Sequence, residues 1–334
     1  MNILYVVPDL KKVSGGPRTR ISLFKGVFIK NGGEVIEKGN KLSSSLKPRR
    51  INLVYVESAT NRISFIDVIC LFFLRLYSKK VIVFIRDVYI ELFPQDYSSF
   101  RGKITWFFNK VSNFYLTVIS TSMVFPTKEM GEVFFEKNHF FPQREYADLP
   151  PGTLVEREKR LMPKFAQKIG ILYLGSTQYQ NSGFRKFINF AEEYGEFYNF
   201  FVLSGDKGLG TILSTTAIHL TTLHRNDIPN FIHQNNIAFA LHTRPKNKYD
   251  DITFPIKVLD FISLQLPFFS ERHLPLINLL SIEYDLFSSF DDLDCIHNKI
   301  QSIEIDKYKG YLNMLYKVSI ENTYDKRYKK LLAQ

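Results

Sequence analysis

Short apolar runs alternate with longer amphipathic ones along most of the chain, a pattern that predicts parallel α/β structure. In the first half, Asn2–Val7, Glu34–Ile36, Ile51–Val56, Val81–Ile85, Thr117–Ile119 and Met123–Phe125 read as strands. Thr19–Asn31, Phe65–Tyr77, Lys103–Phe114 and Thr127–Phe135 read as helices. Asn31-Gly32-Gly33 closes the first helix, since glycine tolerates the left-handed backbone that helix ends need. Ile63–Ile85 is the longest apolar stretch. Asp67, Arg75, Lys79 and Lys80 interrupt it, which argues against a spanning helix of ~20 apolar residues. A buried helix, Phe65–Tyr77, followed by a buried strand is the favoured reading. The alternative is a helix whose Phe-rich face lies in a lipid interface.

The rhythm breaks at Leu149-Pro150-Pro151-Gly152-Thr153 and the charged run Glu156–Lys168, where proline and charge mark a boundary. It restarts with strands expected at Ile169–Leu174, Phe200–Leu203, Ala217–Leu220, Ile237–Leu241 and Pro267–Ser270. Helices are expected at Gly183–Tyr194, Asp227–Asn235, Pro255–Leu264 and Leu274–Leu280, and two more in the Tyr- and Lys-rich tail. A chain of 334 residues exceeds what one core usually organises. The expected division is an N-terminal domain over residues 1–160, a second over 161–310, and a C-terminal helix over 311–334 packing back on the first.

The hydrophobic fraction of 45% and charged fraction of 23% are those of a folded protein, so disorder is excluded. Cys70 and Cys295 form neither a zinc spacing nor a disulfide framework, which fits a reducing compartment. Met1 leads straight into an apolar run with no signal-peptide order, so a cytoplasmic protein is expected. The net charge is +11, and residues 11–50 hold eleven Lys or Arg against Glu34 and Glu37. Such a face attracts anionic lipid or phosphorylated substrates. No zinc finger or RNA-recognition signature is present, so nucleic acid is not an expected partner.

Chemistry can be placed at the β–α junctions. Gly15-Gly16-Pro17-Arg18 follows the first strand; paired glycines let backbone approach a ligand, and the helix start offers amides to an anion. An unliganded loop is the equal alternative. Arg86-Asp87 follows the strand Val81–Ile85, at the end of a parallel sheet where ligands bind. Asp87 can orient or deprotonate an acceptor hydroxyl, or simply cap a helix. Gly175-Ser176 and Ser204-Gly205-Asp206 follow two later strands and leave room for a diphosphate or base, as would ordinary turns. In Asp250–Ser263, Pro255 suits a helix start, and Lys257 and Asp260 share one face. A cation at the positive end of a helix is unfavourable by itself and makes sense beside a bound anion. Asp260, one turn on, suits a pair of ribose hydroxyls, unless it only pairs with Lys257.

These segments, with Ile228-Pro229-Asn230-Phe231-Ile232 and Pro255–Pro267, resemble the GT-B glycosyltransferases. The closer likeness is to the family 4 type that builds bacterial capsular and O-antigen polysaccharides. The resemblance implies two Rossmann-like, doubly wound α/β domains facing a central cleft. It implies hexosyl transfer with retention from a nucleotide-sugar donor to a glycan or lipid-linked acceptor; the basic first domain would suit a lipid-diphosphate-linked acceptor at an anionic membrane surface. No metal or other cofactor is implied. Lys257 would stabilise the diphosphate, Asp260 hold the ribose, Asp251 touch the donor sugar, and Arg225 or Arg244 supply a further phosphate cation. Two departures stand out: the acidic pair Asp251 and Asp260 is nine apart where the family has eight, and Gln265 replaces a customary glycine. A sugar-nucleotide epimerase is a rival reading, for which His219, His224, His233, His242 and His273 are available without a recognisable pair. A non-catalytic GT-B subunit is the other.

Overall fold

The computed structural model describes residues 2–13, 15–44, 50–58, 63–154, 160–178, 181–209 and 218–334. Ser14, Lys47, Arg49, residues 156–159 of the charged run and Ala217 lie outside the described residues. The chain divides into two compact units. Unit 1 comprises Met1–Gly152, Ile252–Phe254 and Tyr324–Gln334, and unit 2 comprises Thr153–Asp251 and Pro255–Thr323.

Unit 1 runs β1 (Ile3–Val7), α1 (Gly15–Lys30), β2 (Glu34–Glu37), α2 (Asn40–Ser44), β3 (Ile51–Ser58), α3 (Phe65–Tyr77) and β4 (Ser78–Ile85). It continues through α4 (Tyr89–Leu92), α5 (Phe100–Ile119), β5 (Ser122–Phe125), α6 (Lys128–Lys137) and β6 (Glu145–Asp148). All six strands are parallel, in the order β2-β1-β3-β4-β5-β6. The strand order reverses between β1 and β3, where a crevice opens at the carboxyl ends of the strands. β1 and most of β3 are buried, as sheets covered on both faces require.

Three expectations change here. Thr117–Ile119 is not a strand but the last turn of α5. Its β-branched Thr117 is accommodated by a 2.8 Å bond from its hydroxyl to the Asn113 carbonyl, a back-bond available inside a helix. The edge strand β6, Glu145–Asp148, carries no apolar alternation and pairs with β5 through its backbone. And α3 is not buried throughout: Cys70, Leu71 and Leu74 face the core, while Phe65 is 78% exposed and Leu76 62% exposed.

At the β1/β3 crevice, unit 1 buries an ion pair. Arg20, on α1, bonds Glu57 at the end of β3. The Tyr5 hydroxyl donates to Glu57 Oε2 at 2.9 Å, and Arg20 donates to the Tyr55 hydroxyl at 3.3 Å. The Arg20 guanidinium also lies 3.8 Å from the centre of the Phe84 ring. A buried charge is tolerated only when its partners are present.

Unit 2 contains β7 (Gly170–Leu174), α7 (Phe184–Tyr194), β8 (Asn199–Leu203), β9 (Ile218–Thr221), α8 (Ile228–Gln234) and β10 (Ile237–His242). It ends with α9 (Ile256–Ser263), β11 (Phe268–Ser270), α10 (Leu274–Leu280), α11 (Leu293–Ser302) and α12 (Ile305–Glu321). Its sheet is parallel in the order β11-β10-β7-β8-β9, with the reversal between β7 and β10. Residues 311–334 are not one helix: α12 belongs to unit 2, and α13 (Tyr324–Leu332) returns to unit 1. There Tyr328 packs edge-on to Phe28, ring centres 5.0 Å apart, and Lys330 Nζ lies 2.8 Å from Asp148.

Glu57→Gln leaves Arg20 charged and buried without its counter-ion. It is expected to lower unfolding free energy by about 3–5 kcal/mol in urea titration. The Arg20→Met/Glu57→Met double variant, with no orphaned charge, is expected to lose less.

Candidate functional site

The reversal between β7 and β10 puts the carboxyl end of β7 beside the start of α9, and two side chains fill the gap. Tyr173 ends its hydroxyl at the Ser176 carbonyl, 2.9 Å away. Lys257, in the first turn of α9, reaches back with Nζ 3.1 Å from the same carbonyl and 3.3 Å from the Tyr173 hydroxyl. Nζ also stands 4.8 Å from the Tyr173 ring centre. Gly175 makes this approach possible: at φ +106, a β-carbon there would fall 2.5 Å from Lys257 Cε. Burial, with the nearby Arg244 charge adding to it, pushes the Lys257 ammonium down to about 8.

The loop after β7 is clamped from the loop after β8. Although burial opposes its charge, Asp206 is held below the usual carboxylate range by hydrogen bonds. Its Oδ2 accepts from the Thr177 amide at 2.6 Å, the Ser176 and Thr177 hydroxyls at 3.0 Å each, and the Gln178 amide at 3.3 Å. Sequence reasoning noticed the Ser204-Gly205-Asp206 turn but missed that its acid shapes the Gly175-Ser176 loop. Gly183, at the N-terminus of α7, sits at φ +66 with its missing β-carbon 1.8 Å from the Thr243 carbonyl. That contact brings the backbone after β10 against the α7 start.

The other expected residues occupy definite places. Arg225 and Asp260 form an ion pair with each other. Burial raises the Asp260 carboxyl, and the Arg225 charge opposes the rise. Arg244 bonds Asp250 at 2.5 Å, and its carbonyl lies 3.1 Å from His273 Nε2. Asp251 Oδ1 accepts from the Leu274 amide at 3.2 Å, at the start of α10. Asp250, passed over in the sequence, is the more buried of the adjacent acids, and burial raises its carboxyl despite Arg244. Of the five histidines considered, His242 and His273 come together, ring centres 5.8 Å apart and both buried. Burial depresses both, with the Asp250 charge opposing the shift at His273.

In unit 1, Arg86 and Asp87 line a cavity of about 300 Å³ at the ends of β3 and β4, with Ser58, Tyr97, Asn109 and Asn113. Asp87 Oδ1 accepts from the Tyr89 amide at 2.9 Å in a local turn, while the N-cap of α4 is Val88. Gly15 and Gly16 begin α1 itself, where a loop was expected before Thr19. Gly15 has φ +64 and open space where a β-carbon would be. Arg18 is exposed; two residues on, Arg20 is the buried cation.

No known family profile matches the sequence, and no curated protein does. Solved structures do match. An α-glucosyltransferase in complex with UDP and a 13-mer DNA aligns at TM-score 0.66 and 11% identity, over 100% of this chain and 99% of that one. WaaG, a glycosyltransferase involved in lipopolysaccharide biosynthesis, aligns at TM-score 0.55 and 12% identity, over 98% of each chain. The chain has the GT-B fold. The pneumococcal O-GlcNAc transferase GtfA, in complex with UDP and GlcNAc, aligns at TM-score 0.56 and 13% identity. That match covers 87% of this chain and 57% of GtfA. In this GT-B chain the Lys257 site thus lies at the strand-order reversal of the second Rossmann-like unit.

Competitive acylation of the folded protein across pH is expected to give Lys257 a midpoint near 8, shared by the buried Lys38 and well below the exposed lysines. A midpoint in the ordinary lysine range would contradict the burial described.

Proposed function

We propose that this chain is a glycosyltransferase that moves a hexosyl group, with retention, from a nucleotide-diphosphate sugar to a glycan or lipid-diphosphate-linked acceptor in surface polysaccharide synthesis. The observation that carries it is Lys257, drawn over Gly175 to the backbone of Ser176 at the mouth of the unit 2 sheet. A half-buried ammonium beside helix-start amides is suited to a diphosphate. In transfer, the acceptor hydroxyl oxygen bonds the anomeric carbon on the face the diphosphate leaves, the bond from that carbon to the phosphate oxygen breaks, and the hydroxyl proton passes to that departing oxygen. The departing electron pair stays on the diphosphate, where Lys257 and an arginine stabilise it. Those cations take the electrostatic role without any metal in the proposal.

Arg225 and Asp260 would exchange their mutual contact for phosphate and ribose on donor binding, and Arg244, whose charge already acts on Lys257, would add to the cationic field. Asp251 would touch the donor sugar only by releasing the Leu274 amide. The unit 1 cavity is assigned to the acceptor, with Asp87 orienting its hydroxyl and Arg86 and the Gly15-Gly16-Arg18 turn offered to its phosphate. A lipid-linked acceptor would place the enzyme at an anionic membrane surface on the cytoplasmic side. A nucleic-acid acceptor is the second reading, favoured by the net charge of +11 and by the DNA bound to the neighbour at TM-score 0.66.

Calorimetry with UDP is expected to show binding by the wild type and a loss of about 1.5–3 kcal/mol in Lys257→Ala, the range for a charged hydrogen bond. No binding by the wild type would sink the transferase reading; equal binding by the variant would sink the site. The sign of the pH effect follows from the lysine. Its charged form binds the diphosphate, so affinity is full below about 8 and falls as pH rises through it. Lys257→Arg, charged throughout, should flatten that fall. Nucleotide release from a donor panel, with lipid-linked glycan or duplex DNA supplied, decides between the two acceptors.

A further inference from the structure

Two helices of unit 1 turn an apolar face outwards. On α5, Phe100, Ile104, Phe107, Val111, Phe114 and Val118 are all exposed, and at about 100° per residue their spacing confines them to an arc of about 80°. On α3, Phe65, Ile69, Phe72 and Leu76 repeat the same stripe. The helices are fixed to each other: the Tyr115 hydroxyl bonds the Val68 carbonyl, and the Ile63 amide donates to the Ser112 hydroxyl at 3.2 Å. Phe140, 64% exposed, extends the face, its ring 4.8 Å from Phe141, which in turn lies 5.4 Å from Phe114. Exposed apolar area this continuous marks an interaction site.

We propose that the α3–α5 face is a monotopic docking surface for an anionic lipid bilayer. The charges around it choose the occupant. The two helices carry Arg75, Arg101, Lys103 and Lys110, and their single acid, Asp67, is buried with its carboxylate accepting the Gly39 amide at 2.7 Å. Arg101 projects to one side of the α5 stripe, and Lys103 and Lys110 to the other. Lys110 is partly spent on Glu91, at 3.2 Å. Apolar rings flanked by cations match acyl chains beneath acidic headgroups. A second copy fits worse, because a two-fold contact would set this cationic rim against an identical one. Among the described residues no helix is long and apolar enough to cross a membrane; the face lies on the bilayer.

The proposal rests on the reading that the acceptor is held at a membrane, and its test uses no sugar nucleotide, so its failure leaves UDP binding untouched. The full chain is floated with vesicles of phosphatidylcholine alone or with phosphatidylglycerol added. The wild type is expected to float with the anionic vesicles and to release as salt rises. Phe72→Ser/Phe107→Ser and, separately, Arg101→Gln/Lys103→Gln should each cut the bound fraction about tenfold while keeping the wild-type melting temperature. A wild type that stays with neither vesicle overturns the proposal, as does a Phe variant that floats unchanged. A concentration-dependent dimer dissolved by Phe107→Ser would give the face to a second copy instead.

Discussion

Lys257 can lie across the mouth of the unit 2 sheet only because position 175 has no side chain. With a β-carbon there, the ammonium would be displaced from the Ser176 carbonyl and from the Tyr173 ring, and Asp206 would be bracing a loop with nothing against it. The strand order creates the gap, glycine keeps it open, and the helix start supplies a positive end that repels the lysine while it waits. An unfavourable charge is thereby held in place by geometry. Burial and the Arg244 charge depress its proton affinity, and an anion bound there would relieve the second of these.

The ion pairs around this lysine form a closed account in the absence of ligand. Arg225 is matched to Asp260 and Arg244 to Asp250, so under the proposed donor role a diphosphate would trade existing contacts for new ones. Such exchange limits affinity and favours selectivity, since a ligand gains only what exceeds the pairs it opens. Asp206 differs from these acids. Its bonds go to the loop backbone and hydroxyls, which makes it first a brace for shape, while its charge also favours the Lys257 ammonium.

Much of the fold was legible because buried parallel strands are continuous apolar runs, and nearly every such run became a strand. The failures have local causes. Thr117–Ile119 has strand-like composition but inherits a helix capped at Ser99, eighteen residues earlier by sequence. β6 is held by backbone pairing at an edge, which leaves no side-chain signal. At the site, Lys257 was readable from its place in a proline-started helix. The partner of Asp260 was not, since Arg225 lies 35 residues away and only the fold joins them. The pattern of α3 showed hydrophobicity without showing which face had a neighbour.

Unit 1 is assembled from distant stretches of chain. Ile252 lies in its core cluster and offers its carbonyl to the Thr127 hydroxyl at 2.6 Å, and α13 packs its tyrosines on α1 from the far end of the sequence. During synthesis, residues 1–152 therefore emerge with part of their core missing, whereas unit 2 has its whole sheet in the stretch that follows. The order of completion is the reverse of the order of translation: the second unit can close while the first waits for the last helix. Until α13 arrives, Phe24 and Phe28 keep Tyr5 and Tyr55 beside them but lack Tyr324 and Tyr328, so the nascent first unit carries an open aromatic face on α1.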